Sequence, residues 1–243
     1  DLFCAEGLIS SRASLILNGA DTEFFFPESS VHDKSHSSFK LVTHHWGNNW
    51  NKGFAIYERL DEMLGSEYWG SRLDFTYIGQ LPNNYKFRYA TYVEPLNGQA
   101  LADLIRVHDI YLTGSLNEPG GMHHIEGALC GLPLLYIDSG AIPEYAKGYG
   151  VSFVYDNFEE KLEEIITNYR KWLSLMHSYP HSANKMCGEY LYLFENLVRE
   201  RAEIISKREN LQSSGLTENI NYLVSEAKDE ISSRYSRLKR RLR

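Results

Sequence analysis

The chemistry-bearing residues of this chain are concentrated between Leu112 and Pro133. The segment reads Leu112-Thr113-Gly114-Ser115-Leu116-Asn117-Glu118-Pro119-Gly120-Gly121-Met122-His123-His124-Ile125-Glu126-Gly127-Ala128-Leu129-Cys130-Gly131-Leu132-Pro133. An apolar run, Asp109–Leu112, reads as a buried strand that ends in a small-residue loop and feeds straight into a helix. A helix start offers unpaired backbone N–H groups and the positive end of the helix dipole, which suits a phosphate. Gly120 and Gly121 carry no Cβ, so the backbone there allows close approach of a ligand. Glu118 in the loop and Glu126 eight positions later are good acceptors for sugar hydroxyls. One anionic ligand with hydroxyls at both ends, a nucleotide-diphosphate sugar, fits this set. The same residues also fit an ordinary helix start, with Glu118 as a first-turn dipole partner and Glu126 solvated. The pattern alone leaves both readings open.

The elements that must carry this segment alternate between short apolar runs and longer amphipathic ones, the rhythm of a parallel sheet covered by helices on both faces. Strands are expected at Ser14–Leu17, Lys40–His44, Asp74–Ile78, Ala90–Val93, Asp109–Leu112, Leu134–Ile137 and Ser152–Val154. Helices are expected at Gly53–Leu64, Gly98–Val107 and Met122–Gly131, the last stopped by Gly131 and Pro133. Beyond Asp156, Leu162, Ile165, Ile166, Tyr169 and Leu173 form the stripe of a helix over Phe158–Met176. Tyr179-Pro180-His181 breaks the chain before a second helix from about Ser182 to Lys207. The expected organisation is a connecting segment at 1–12, a main domain at 13–207 and a helical basic tail at 208–243.

Composition narrows the class. With 243 residues, 43% of them hydrophobic, the chain can bury a substantial core. The net charge of −7 gives the main body no reason to bind nucleic acid. Cys4, Cys130 and Cys187 are scattered without a Cys-x-x-Cys pair, which argues against a disulfide framework or a zinc site and suits a reducing cytoplasm. No apolar run reaches the roughly 18 residues of a membrane span. The start, Asp1-Leu2-Phe3-Cys4, carries no initiator Met and no signal-peptide pattern, so a piece of a longer protein is expected.

Glu118, seven residues, Glu126, then Gly127 to Pro133 resembles the Glu-x7-Glu-Ala-x-x-x-Gly-x-Pro signature of retaining GT-B glycosyltransferases of the family 4 type, also called group 1. Three further segments resemble that family in the correct order. Asn18-Gly19-Ala20-Asp21 with Phe24-Phe25-Phe26-Pro27 matches the entry to its C-terminal domain, and Asn51-Lys52-Gly53 matches its Lys-Gly after the first strand. Asp138-Ser139-Gly140-Ala141-Ile142-Pro143-Glu144 is similar to its Gly-Gly-x-x-Glu turn. The likeness covers about Ala13 to Asn157, and less clearly the helices to Lys207.

The resemblance implies a Rossmann-like α/β domain, the C-terminal half of a GT-B fold, with a helical tail. It implies that Glu118 contacts the transferred sugar and helps stabilise the transition state. Gly120, Gly121, Met122 and His123 would present backbone N–H groups to the donor, Glu126 would bind the ribose, and Lys52 would neutralise the leaving diphosphate. His45 and Gly47 are candidates for the donor cleft. The implied donor is a nucleotide-diphosphate sugar, with no metal and no cofactor, and the implied acceptor is a glycan or lipid-linked molecule held by an N-terminal domain. A cytoplasmic role in polysaccharide or surface-glycan synthesis follows by analogy only. Two departures stand out: His44-His45-Trp46-Gly47-Asn48-Asn49-Trp50-Asn51 lacks the Arg that the family often places before Lys-Gly, and Gly127 replaces the usual Ala at a cost in helix propensity. A non-catalytic nucleotide-sugar-binding module and a sugar-nucleotide epimerase relative are the alternatives.

Other residues read more plainly. His44-His45 and His123-His124 do not grip one ion as adjacent pairs on a strand, since neighbours point to opposite faces. His44 is expected to be packed or hydrogen-bonded, Cys130 buried, Trp46 and Trp50 part of the core, and Asn84–Tyr89 a solvated loop. The basic run Arg234 to Arg243 is a candidate for contact with the inner face of a membrane.

Overall fold

The computed structural model describes residues 14–28 and 38–212. The tail from Thr217, Cys4 and residues 1–12 lie outside the described residues. In chain order the elements are β1 (Phe39–His45), α1 (Phe54–Leu64), α2 (Glu67–Gly70), β2 (Leu73–Gly79), β3 (Thr91–Val93), α3 (Gly98–Arg106), β4 (Ile110–Thr113) and α4 (His123–Leu129). They continue with β5 (Leu134–Ile137), α5 (Ile142–Ala146), β6 (Gly150–Phe153), α6 (Phe158–Thr167), α7 (Tyr169–Met176), α8 (Ala183–Arg199) and α9 (Arg201–Gln212).

The six strands form one sheet in the order β3-β2-β1-β4-β5-β6, and every neighbouring pair is parallel. Strand order reverses between β1 and β4, and in a doubly wound sheet that switch point opens a crevice at the carboxyl ends of the strands. His45 and Thr113 end β1 and β4 at that edge. The loops that follow them carry Lys52 and Glu118. Strand interiors are apolar on both faces, as a sheet covered twice requires: Leu41, Val42, Tyr111, Leu112, Leu134 and Leu135 are all fully buried. Each such side chain contributes about 1.5–3 kcal/mol on burial, so the central strands form the rigid frame of the site.

Helix α1 shows how local sequence sets the site. Phe54, Tyr57 and Leu60 bury its apolar stripe, and Gly53 caps it at φ +102°. A Cβ on Gly53 would lie 2.8 Å from the Gly114 carbonyl carbon, so glycine alone lets the turn carrying Lys52 abut the β4 loop. The buried Asp61 carboxylate on the same helix accepts the backbone N–H groups of Arg88, Tyr89 and Ala90 at 2.7, 2.9 and 2.7 Å. The expected solvated loop at Asn84–Tyr89 is therefore clamped, with Tyr85 and Phe87 packed on the core and Tyr89 exposed.

Several expectations differ in detail. Ser14–Leu17 forms no strand, since none of the six strands of the sheet pairs with it; just beyond it, Ala20 makes an isolated bridge to Ser182. The long helix over Phe158–Met176 is two helices broken at Asn168, and the next breaks at Glu200. Trp46 and Trp50 are exposed rather than core, since both lie in the loop beyond the end of β1. Two compact units divide the chain, Asp1–Glu189 and Tyr190–Arg243. In the second, Tyr190, Phe194 and Leu197 recur at helical spacing as exposed apolar residues. Among the described residues no helix is long and apolar enough to cross a membrane.

Candidate functional site

The loops after β1 and β4 are stitched together at the switch point. Trp50–Lys52 forms one 3-10 turn, and its Asn51 carbonyl accepts the Leu116 N–H at 2.7 Å and the Ser115 hydroxyl at 3.4 Å. That turn delivers Lys52 Nζ to within 2.6 Å of Glu118 Oε2, which also accepts the Ser115 hydroxyl at 3.0 Å. The Glu118 side chain is only 9% exposed, against 27% for Lys52. A carboxylate so buried requires a partner, and Lys52 meets that requirement. The Glu118 carbonyl accepts the Ala141 N–H at 2.8 Å, which ties in the loop after β5. Gly140 makes that contact possible: it sits at φ +60°, and a Cβ there would lie 2.5 Å from the Glu118 nitrogen.

The glycine loop is held from a third direction. Asn18 donates its side-chain N–H to the Gly120 carbonyl at 3.1 Å, and the Tyr145 hydroxyl accepts the Asn18 backbone N–H at 3.2 Å. With the carbonyl pinned, the amides of Gly120, Gly121, Met122 and His123 donate to no acceptor among the described residues, and α4 has no side-chain cap. Glycine at 121 is a steric requirement, because a Cβ would press on Glu118 Cγ and the His123 ring at 2.8 Å. These four amides, unpaired among the described residues, are of the kind that attracts an anion.

Glu126 lies on α4 with its side chain 20% exposed, and its Oε2 sits 2.7 Å from His44 Nε2. His44 is packed and hydrogen-bonded, as expected, with Nδ1 3.0 Å from the Tyr111 hydroxyl. His45 is buried on the other face of β1, its Nε2 2.7 Å from the Tyr57 hydroxyl and its ring 4.5 Å from that of His123. His123 Nε2 meets Thr113 Oγ1 at 2.9 Å. Burial, followed by the neighbouring histidines, holds the His45 and His123 rings well below the usual imidazole pKa. His45 is therefore neutral at pH 7 and does not replace the missing Arg as a second cation. Gly47 lies against the Lys52 side chain, where a Cβ would be 3.3 Å from Cε. His124 is fully buried, neither ring nitrogen has a partner among the described residues, and burial lowers its pKa to about 4. Among the described residues no group of three or more His, Cys, Asp or Glu is arranged to hold a metal ion.

The structure thus brings Lys52 and Glu118 together beside Gly121 and His123, with Gly47 against Lys52, the His45 ring against His123, and Glu126 on α4 paired with His44. Sequence reasoning missed Ser115, Tyr57 and Tyr111. The one signal available for Tyr111 was Gly127, because a Cβ at that position would lie 2.1 Å from the tyrosine ring.

No family model matches the sequence, and no curated protein is significantly similar to it. Solved structures do resemble the fold. A glycosyltransferase from Rickettsia africae ESF-5 superposes with a TM-score of 0.58 at 13% identity, over 76% of this chain and 57% of that one. Sucrose-phosphate synthase from Thermosynechococcus elongatus gives 0.57 at 13% identity, over 76% of this chain and 53% of that one. The C-terminal domain of the group 1 glycosyl transferase LpcC from Francisella tularensis gives 0.52 at 15% identity, over 71% of this chain and 98% of that domain. The chain spans little more than half of the two longer proteins and nearly all of the isolated domain. At such identities the likeness concerns the fold. Six parallel strands with the reversal between β1 and β4, and this match to an isolated domain, give the chain the Rossmann-like fold of the C-terminal half of GT-B glycosyltransferases.

Proposed function

We propose that this chain binds a nucleotide-diphosphate sugar and forms the donor half of a retaining glycosyltransferase, whose acceptor is a glycan or lipid-linked molecule held by a further domain. The observation that carries the proposal is the Lys52–Glu118 pair at 2.6 Å next to the glycine loop, whose amides from Gly120 to His123 are unpaired among the described residues. A diphosphate entering there exchanges with Glu118 for the Lys52 charge and takes up the amides. Glu118, released from Lys52 but still beside Ser115, then faces the hydroxyls of the sugar. As the sugar–phosphate bond breaks, negative charge grows on the phosphate oxygen, and Lys52 with the amides stabilises it. The same phosphate oxygen accepts the proton of the attacking hydroxyl, so the acceptor bonds on the face that the leaving group vacates.

Support from other proteins is at the level of fold and ligand type. The O-GlcNAc transferase GtfA, solved with UDP and GlcNAc, superposes with a TM-score of 0.53 at 14% identity, over 74% of this chain and 38% of that one. Calorimetric titration with UDP, GDP and ADP tests the reading. One nucleotide should bind saturably, and Lys52→Ala and Glu126→Ala should each weaken it about tenfold or more. A folded wild type that binds none of the three would contradict it. The missing Arg between His44 and Lys52, with His45 neutral, favours one other reading, a binding module that lacks transfer activity. Assay with the remaining domain present separates the two. The reading further implies a cytoplasmic enzyme; the basic run from Arg234, the candidate for membrane contact, lies outside the described residues.

A further inference from the structure

The Gly127 departure and the Glu126 geometry have a common cause. The Tyr111 ring occupies the space that a side chain at position 127 would need, 2.1 Å from an added Cβ. From there its hydroxyl accepts the His44 backbone N–H at 3.2 Å. A phenol has one proton, and burial keeps it on Tyr111 by raising its pKa well above the usual value. The hydroxyl lies 3.0 Å from His44 Nδ1, to which it can donate that proton. With Nδ1 accepting from Tyr111, the imidazole carries its hydrogen on Nε2 and donates it to Glu126 Oε2 at 2.7 Å. One carboxylate oxygen is held, and no hydrogen bond from the described residues reaches the other.

We propose that Gly127, Tyr111 and His44 form a positioning assembly that fixes Glu126 so that its free oxygen accepts a ribose hydroxyl of the donor. The proposal rests on the donor-site reading above. It assigns His44 a role in sugar recognition without direct contact: His44 sets the carboxylate, and the carboxylate discriminates ribose from deoxyribose. A glycine at 127 is the steric condition for the tyrosine, which makes the replaced alanine of the resembled signature part of the same device.

The test is titration of the full chain with whichever of UDP, GDP and ADP binds, and with its 2′-deoxy and 3′-deoxy forms. Wild type should prefer the ribonucleotide to at least one deoxy form by about tenfold, as expected for a hydrogen bond to a charged group. His44→Phe should lose most of that preference, and His44→Gln, whose amide N–H reaches toward Glu126, should regain part of it. A merely structural role for His44 would lower stability and leave the preference intact. Nitrogen-15 spectra of labelled histidine give a second readout in wild type, where His44 should show the Nε2–H tautomer. Wild-type preference in a folded His44→Phe protein, or the Nδ1–H tautomer, would overturn the assembly while leaving the donor site standing. No binding of any nucleotide would overturn both.

Discussion

His124 should make this protein acid-labile, and the size of the effect can be worked out. Its ring is fully buried beside Tyr145 and neither nitrogen has a partner among the described residues, so protonation is resisted in the fold and is free in the unfolded chain. Burial lowers its pKa from 6.5 to about 4, against the opposing pull of Glu118. The unfolded state therefore binds more protons between these two values. Stability is complete above about pH 6.5 and falls as pH drops towards 4. At 1.36 kcal/mol per unit, going from pH 7 to pH 4.5 gives a loss of roughly 2 kcal/mol from His124 alone. His45 and His123 are lowered in the same direction and add to it. The assay is urea unfolding of wild type and His124→Phe at both pH values. The variant should lose roughly 2 kcal/mol less than wild type on acidification. An equal loss in both proteins would refute the reasoning, because it would place the titrating groups elsewhere.

Four further outcomes follow from named contacts. Gly127→Ala should destabilise by about 1–3 kcal/mol, since the Tyr111 ring must move, and chemical denaturation reads it. Asp61→Ala removes three backbone hydrogen bonds and should cost about 3 kcal/mol, with faster amide exchange at Arg88, Tyr89 and Ala90. Lys52→Met leaves the buried Glu118 carboxylate unpaired and should cost about 2 kcal/mol, and the double variant with Glu118→Gln should recover most of that in a thermodynamic cycle. At pH 8 a thiol reagent should modify the exposed Cys187 and spare Cys130, whose thiol burial pushes up to about 12, as peptide mapping will show.

Periodicity and spacing made the sheet legible, because a strand buried on both faces reads as an uninterrupted apolar run and Gly punctuates its ends. Leu134–Ile137 falls where it was expected, and β1, β4 and β6 are displaced by only a residue or two. Contacts between distant segments were not legible. Asn18 and Gly120 are 102 positions apart, Lys52 and Glu118 are 66 apart, and no local pattern announces either hydrogen bond. The break at Asn168 was hidden because Phe158–Met176 keeps one apolar stripe across it. Trp46 and Trp50 misled for a related reason: aromatic character predicts burial, and position beyond the strand end overrides it. The burial of His45 illustrates the same limit, since alternation along β1 shows that it faces away from His44, and only the fold shows Tyr57 waiting there.

The claim that matters most is that the edge built from Gly120 to His123 and Lys52 receives a diphosphate. Amide spectra of the nitrogen-15-labelled chain, recorded as UDP, GDP or ADP is added, address it residue by residue. The Gly120, Gly121, Met122 and His123 amides should shift together and saturate with one binding constant. Saturable shifts confined to other parts of the sheet, with these four amides unmoved, would contradict it.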